Sequence, residues 1–216
     1  VAIGVGQDGY RRILGVQEGH KEDKAGWSGF LAHLKNRGLK GVRLFISDAC
    51  LGLVESVAEY YQQADWQRCV VHFYRNIFSH VPSGKVKHVA MMLKAIHAQE
   101  SREAAQEKAQ RIADELQSMK LRKASELLRE HVHETLTYYQ YPQTHWTRIK
   151  TNNPLERIMR EIRRRTRVVG AFPDGNSALM LVAARLRHIA GTNWGLRRYL
   201  NMEVLEKQNL EEQLTA

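Results

Sequence analysis

The sequence predicts a helix-rich α/β fold in which an all-helical block interrupts a strand-bearing core. Three observations predict it. Strand-like patterns fill residues 1–17 and recur at 42–47 and 66–72, with a helix between the last two. From about 85 to 139 only helical periodicity is present. From Asn152 the chain resumes as a strongly basic helix.

The elements follow in order. Val1, Ile3 and Val5 alternate, Asp8-Gly9 supplies a turn, and Ile13, Leu14 and Val16 follow, so residues 1–17 read as a hairpin. Trp27, Phe30, Leu31 and Leu34 have helical spacing over 24–37, and Gly38 ends that helix. Residues 42–47 form a short continuous apolar run, the pattern of a strand buried on both faces, with Asp48 at its C-terminal end. A helix over about 51–63 leads to a second strand over 66–72. Strand, helix, strand in this order implies a parallel pair with a helical crossover.

Beyond Pro82-Ser83-Gly84 three apolar stripes succeed one another: Val86, Val89, Ala90 and Leu93; Ile112, Leu116 and Met119; Leu127, Leu128, Val132 and Leu136. Tyr141-Pro142 breaks this block. A basic helix over about 152–166, a Gly- and Pro-containing loop over 167–176, a helix over 177–190 and a polar tail complete the chain. The expected division is 1–84 as the first part of the core, 85–140 as the helical insertion, 141–202 as the second part of the core, and 203–216 as the tail.

Bulk properties narrow the function classes. The chain has 216 residues, 43% hydrophobic and 26% charged, as in ordinary globular proteins. Its longest candidate apolar run, 178–184, is closed by Arg185 and falls short of the roughly 18–20 residues a membrane span needs. A net charge of +10 points to a polyanionic partner, although a merely soluble basic protein has the same balance. Cys50 and Cys69 are too few for a disulfide framework, and with no export signal the expected compartment is a reducing cytoplasm. The chain opens without Met, directly into a strand pattern, and reads as a piece of a longer protein.

Two acids stand out. Asp48 lies where open α/β sheets place their ligands, though an Asp there can equally cap the next helix. In Thr151-Asn152-Asn153-Pro154-Leu155-Glu156, Asn153 reads as N-cap, Pro154 as the first helical residue and Glu156 as the third, a capping-box position. At about 100° per residue, Leu155, Ile158, Met159 and Ile162 cluster on a face that must pack on the sheet. Glu156, Arg160, Arg163 and Arg167 share the neighbouring stripe. One acid beside three arginines suits a metal carboxylate flanked by phosphate contacts; a plain Glu156–Arg160 pair is the modest alternative. Cys69 and His72 form a Cys-x-x-His pair, but a zinc site needs two more ligands and no second paired motif exists. Cys69 reads as a small core residue, His72 as a group that orients an acid or contacts the scissile phosphate. Trp27, Phe30, Trp66 and Trp194 read as packing residues, and Trp146 as a residue able to stack on a displaced base.

The segments ISDACLGL, WQRCVVHFYRN and TNNPLERIMREIRRRTRVVGAFP resemble the signature blocks of Mutator-type transposases of bacterial insertion sequences. DGYRRILGVQEGHKED and GWSGFLAHLKNRGLKGV resemble earlier blocks of the same family, so the likeness runs from the first residue to about Met202. It implies a ribonuclease-H-like mixed sheet interrupted by a helical insertion, and DDE-type chemistry: metal-dependent cleavage and strand transfer at transposon ends. By position, Asp48 corresponds to the second catalytic Asp and Glu156 to the catalytic Glu, both holding Mg²⁺ or Mn²⁺. Arg160, Arg163, Arg164 and Arg167 would contact DNA. The first Asp of the family precedes the opening strand, and Asp8 reads as a turn residue too distant to replace it. The chain alone is therefore expected not to cleave DNA. Expected partners are double-stranded DNA, at transposon ends and target, and further copies in a homo-oligomer, with the protein at the bacterial nucleoid. The alternative is a catalytically inactive derivative that only binds DNA or partner subunits.

Overall fold

The computed structural model describes residues 1–19 and 23–215; residues 20–22, within one of the family-like blocks, lie outside it. The chain begins with β1 (Ala2–Val5), β2 (Arg11–Gly15), α1 (Lys24–Asn36), β3 (Leu44–Ser47), α2 (Leu51–Tyr60) and β4 (Asp65–Arg68). The helices α3 (Val70–Phe78), α4 (Ser83–Ile96), α5 (Arg102–Ser118) and α6 (Arg122–His131) come next, then short 3₁₀ turns. Last are α7 (Trp146–Ile149), α8 (Asn153–Val169), α9 (Gly175–Ala190), α10 (Asn193–Leu196) and α11 (Met202–Thr215). These elements divide into two compact units: 1–41, 51–62 and 152–216 make the first, 42–50 and 63–151 the second.

In the first unit β1 and β2 form the expected antiparallel hairpin, with Ile3 opposite Ile13 and Val5 opposite Arg11. Asp8 is a turn residue. Its carboxylate accepts from the Tyr10 N–H and pairs with Arg12, whose hydrogen bond holds it below the usual carboxylate range. Gly9 has φ +81°, and its carbonyl accepts the N–H groups of Tyr199 and Leu200 at 2.7 and 3.1 Å. A Cβ at this glycine would meet the Leu200 carbonyl oxygen at 2.1 Å, so the turn requires glycine on both counts. Asp23 caps α1 by accepting from the Gly26 N–H, and α1 packs on α2 through a 2.9 Å hydrogen bond between Ser28 and Ser56. The unit's core joins Ile158 and Ile162 of α8 to Leu186 of α9, with Ile3 and Ile13 of the hairpin against them. The apolar face of α8 thus packs on the strands, as its spacing predicted.

In the second unit β3 and β4 are parallel, with Leu44 opposite Asp65 and Ser47 opposite Arg68; the chain joining them runs through α2, which belongs to the first unit. The helical core below them gathers Phe73 and Ile77 of α3, Leu93 of α4, Leu116 of α5 and Leu128 of α6. The three predicted stripes correspond to α4, α5 and α6 with the turns that follow.

One expectation needs correcting. The strand expected over 66–72 ends at Arg68, and α3 begins at Val70. The apolar run resembles a strand locally, but Val70, Phe73 and Ile77, buried at spacings of three and four, share one helical face. Among the described residues the strands form two two-stranded sheets, one in each unit. The class is α/β and helix-rich.

Candidate functional site

The parallel register sets the geometry around Asp48. Ser47 and Arg68 end their strands side by side, and the Cys69 N–H continues the ladder onto the Ser47 carbonyl at 2.7 Å. Asp48 and the first turn of α3 therefore leave the same end of the sheet. The Asp48 carboxylate is exposed, and its Oδ1 accepts from the Ala49 N–H at 2.8 Å. That bond orients the side chain without burying it. Sequence reasoning treated Trp66 as a packing residue. Its indole N–H also donates to the Ser47 hydroxyl at 2.9 Å, anchoring the residue before Asp48.

Cys69 is fully buried and occupies the N-cap position of α3. His72 therefore sits on a helix, in the first turn after Cys69, rather than at a strand end. The N-terminus of a helix presents positive potential, which favours an anion nearby. The sheet end is braced from behind. Arg68, 5% exposed, pairs with Glu134 at 2.7 Å, and the buried Gln67 amide holds the Thr135 carbonyl and the Tyr138 N–H at 2.8 and 2.9 Å. Trp146 belongs to this bracing: its indole N–H donates to the Tyr141 carbonyl and its ring packs edge-on to Tyr138 and Tyr139. Among the described residues no three His, Cys, Asp or Glu side chains gather in a metal-holding group.

Glu156 and the arginines lie on α8, in the other unit. The helix starts one residue earlier than expected. Asn152 is the cap, makes no side-chain capping bond, and places Pro154 second and Glu156 fourth. Glu156 is thus past the capping-box position. It is half-buried, while Arg160, Arg163 and Arg167 are exposed and have no ion-pair partner among the described residues. Arg164 is different. Glu161 takes two hydrogen bonds from its guanidinium, at 2.9 and 3.0 Å, and also pairs with Arg165 and Arg185. The Arg164 hydrogen bonds, then those of Arg165, hold the Glu161 carboxyl down at about 2. The sequence reading missed Glu161, although its spacing of three and four from Arg164 and Arg165 was a visible signal.

Arg160, Arg163 and Arg167 thus form an open row of guanidiniums along α8, on a chain with net charge +10. The chain belongs to the Mutator family of transposases, whose family model matches residues 1–195. It is 39% identical over 210 residues to the transposase for insertion sequence element ISRM5 of Rhizobium meliloti, covering 96% of this chain and 52% of that protein. It is 40% identical over 207 residues to the transposase for IS1081 of Mycobacterium tuberculosis, covering 96% and 50%. To the transposase for IS256 in transposon Tn4001 of Staphylococcus aureus it is 35% identical over 208 residues, covering 94% and 52%. The chain spans about half the length of the curated relatives it matches. Among the described residues no helix is long and apolar enough to cross a membrane.

Proposed function

We propose that this chain carries two of the catalytic carboxylates and part of the DNA-binding surface of a transposase that cleaves and joins DNA strands at insertion-sequence ends. Asp48 and Glu156 are the catalytic acids. Arg160, Arg163 and Arg167 hold phosphates beside Glu156, with Arg164 a weaker contact because Glu161 already engages it. His72 acts near Asp48 by orienting an acid or a phosphate oxygen. The two small sheets are read as parts of a ribonuclease-H-like core, and the working form as a homo-oligomer on double-stranded DNA. The observation that carries the reading is the one flank of α8 that bears both Glu156 and the open arginines.

In cleavage a water attacks a phosphodiester and releases a 3′-hydroxyl; in transfer that hydroxyl attacks a target phosphodiester. Each step forms one P–O bond and breaks one. Asp48 and Glu156 offer hard oxygen donors of the kind Mg²⁺ or Mn²⁺ takes, and the ion would neutralise charge on the phosphate under attack. Asp48 suits this role because its carboxylate is exposed and only Oδ1 is engaged by the backbone.

The test is strand cleavage by the full transposase on labelled insertion-sequence ends with Mg²⁺. Asp48→Asn and Glu156→Gln each abolish cleavage and leave DNA binding in place. Cleavage by either variant at the wild-type rate overturns the assignment.

A further inference from the structure

One end of the helical block in the second unit carries five cations that the proposed site does not use. Lys85 and Lys87 stand in the first turns of α4, Lys120 follows α5, and Arg122 and Lys123 open α6. The Lys85 ammonium lies 3.5 Å from the Met119 carbonyl oxygen, which brings the two stretches together. All five side chains are exposed, and none has an ion-pair partner among the described residues. No acid occurs between Asp65 and Glu100, nor between Glu115 and Glu126.

Local folding disfavours three of these cations. Lys120, at φ +63°, is among the described residues the one non-glycine residue in the left-handed region. It occupies the reversal after α5, where its N–H donates to the Gln117 carbonyl and the Leu121 N–H to the Leu116 carbonyl at 3.0 and 2.9 Å, a position that favours glycine. Arg122 and Lys123 are the first two residues of α6, where the positive end of the helix repels cations, and no acid shares that turn. Charges kept against both preferences point to a partner outside the fold.

The chemistry of the cluster selects that partner. Lysine is depleted in interfaces between proteins, whereas surfaces that hold DNA are strongly positive. A lipid surface is entered by apolar side chains beside the cations, and neither stretch has an exposed large apolar side chain. An ammonium is a point charge on a flexible stem, and its contact with a phosphate oxygen carries no sequence information.

We propose that this end of the helical block grips the phosphate backbone of duplex DNA independently of sequence, as a second contact surface in the unit that does not contain α8. The choice of DNA rests on the reading of the chain as part of a transposase acting on DNA; the arginines of α8 are not required for it.

Lys87→Gln, Lys120→Gly, Arg122→Gln and Lys123→Gln are combined in the full chain, and binding to two duplexes of unrelated sequence is followed by anisotropy from about 50 to 200 mM salt. Four phosphate contacts at roughly 0.9 each give a loss of up to about 3.6 in the slope of log affinity against log salt. The loss is equal on both duplexes and recurs in the background Arg160→Ala, Arg163→Ala, Arg167→Ala. The melting temperature stays level or rises, because glycine suits φ +63° and the start of α6 sheds two repelled charges. A purely structural role would lower it, and that result overturns the proposal. An unchanged slope overturns it too and leaves the α8 reading standing. Wild-type binding that ignores salt overturns the DNA reading and this surface with it. A loss on one duplex alone refutes the independence of sequence. Loss of binding to phosphatidylserine vesicles, or a lower sedimenting mass, with the DNA slope intact assigns the cations to a lipid surface or to a second copy and likewise overturns the proposal.

Discussion

Replacing Arg160, Arg163 and Arg167 together by Ala tests the open row on α8 most directly. At 1.5 Å per residue these seven positions extend about 10 Å along the helix, and phosphates of one DNA strand follow at about 3.4 Å along the duplex axis, so the row can meet three of them. Each phosphate neutralised contributes roughly 0.9 to the slope of log affinity against log salt, so the triple variant should lose about 2.7. A change from 50 to 200 mM salt then narrows the gap between wild type and variant by about 40-fold, with the largest deficit at low salt. Alanine keeps the helix, and all three side chains are exposed, so the melting temperature should not move. Anisotropy of a labelled duplex over that salt range measures the effect. Arg164→Ala is the internal contrast: Glu161 already engages its charge, so its slope should change by less than one phosphate's worth. An unchanged slope in the triple variant, or an equally large loss from Arg164→Ala alone, would refute the reasoning.

Further predictions concern stability. His97, a buried side chain, is held neutral with its titration lowered to about 4 from an ordinary 6.5, chiefly by burial. Protons therefore bind the unfolded chain first: stability is full above about pH 6.5, declines from there to about pH 4, and loses roughly 3 kcal/mol in all. His97→Gln should flatten that segment of a urea-denaturation series against pH. Glu161 titrates in the opposite sense, its carboxylate stabilising the fold above about pH 4.5 and losing that effect as pH falls towards about 2. The melting temperature of Glu161→Gln should accordingly fall below wild type at neutral pH and converge with it in acid. Leu128, fully buried in the helical core, should cost about 2–5 kcal/mol on truncation to Ala, read by chemical denaturation.

Local patterns made much of the fold legible. The Asp8-Gly9 turn, the apolar spacing of α1 and the packing face of α8 are each written within a dozen residues or so, and the structure repeats them. What failed was ambiguity of period and of caps. Cys69, Val70 and Val71 within the expected strand over 66–72 fit a strand, and the burial of Phe73 and Ile77 beyond it reveals the helix. At α8 the sequence placed the cap at Asn153, whereas Asn152, with φ −92° and ψ 22°, takes that position without a side-chain capping bond. The long-range partners were not legible. Nothing in the sequence says that Glu134 will meet Arg68, or that Arg185 will join Arg164 and Arg165 on Glu161, because such pairs depend on how separate helices cross. For the candidate site, motif blocks singled out Asp48 and Glu156, helical spacing could have singled out Glu161, and the bond from Trp66 to Ser47 depended on the fold.

The first unit is assembled from three stretches of chain, the last of which begins at Asn152. On the ribosome, Ile3 and Ile13 emerge well before the helix that covers them. At typical synthesis rates of about 5–20 residues per second, Ile158 follows roughly 150 residues later, a wait on the order of ten seconds. Throughout that wait the nascent hairpin has an uncovered greasy side, whereas the second unit is complete once residue 151 has left the exit tunnel. Translation speed and chaperone supply, rather than final stability, should then govern the yield of soluble protein.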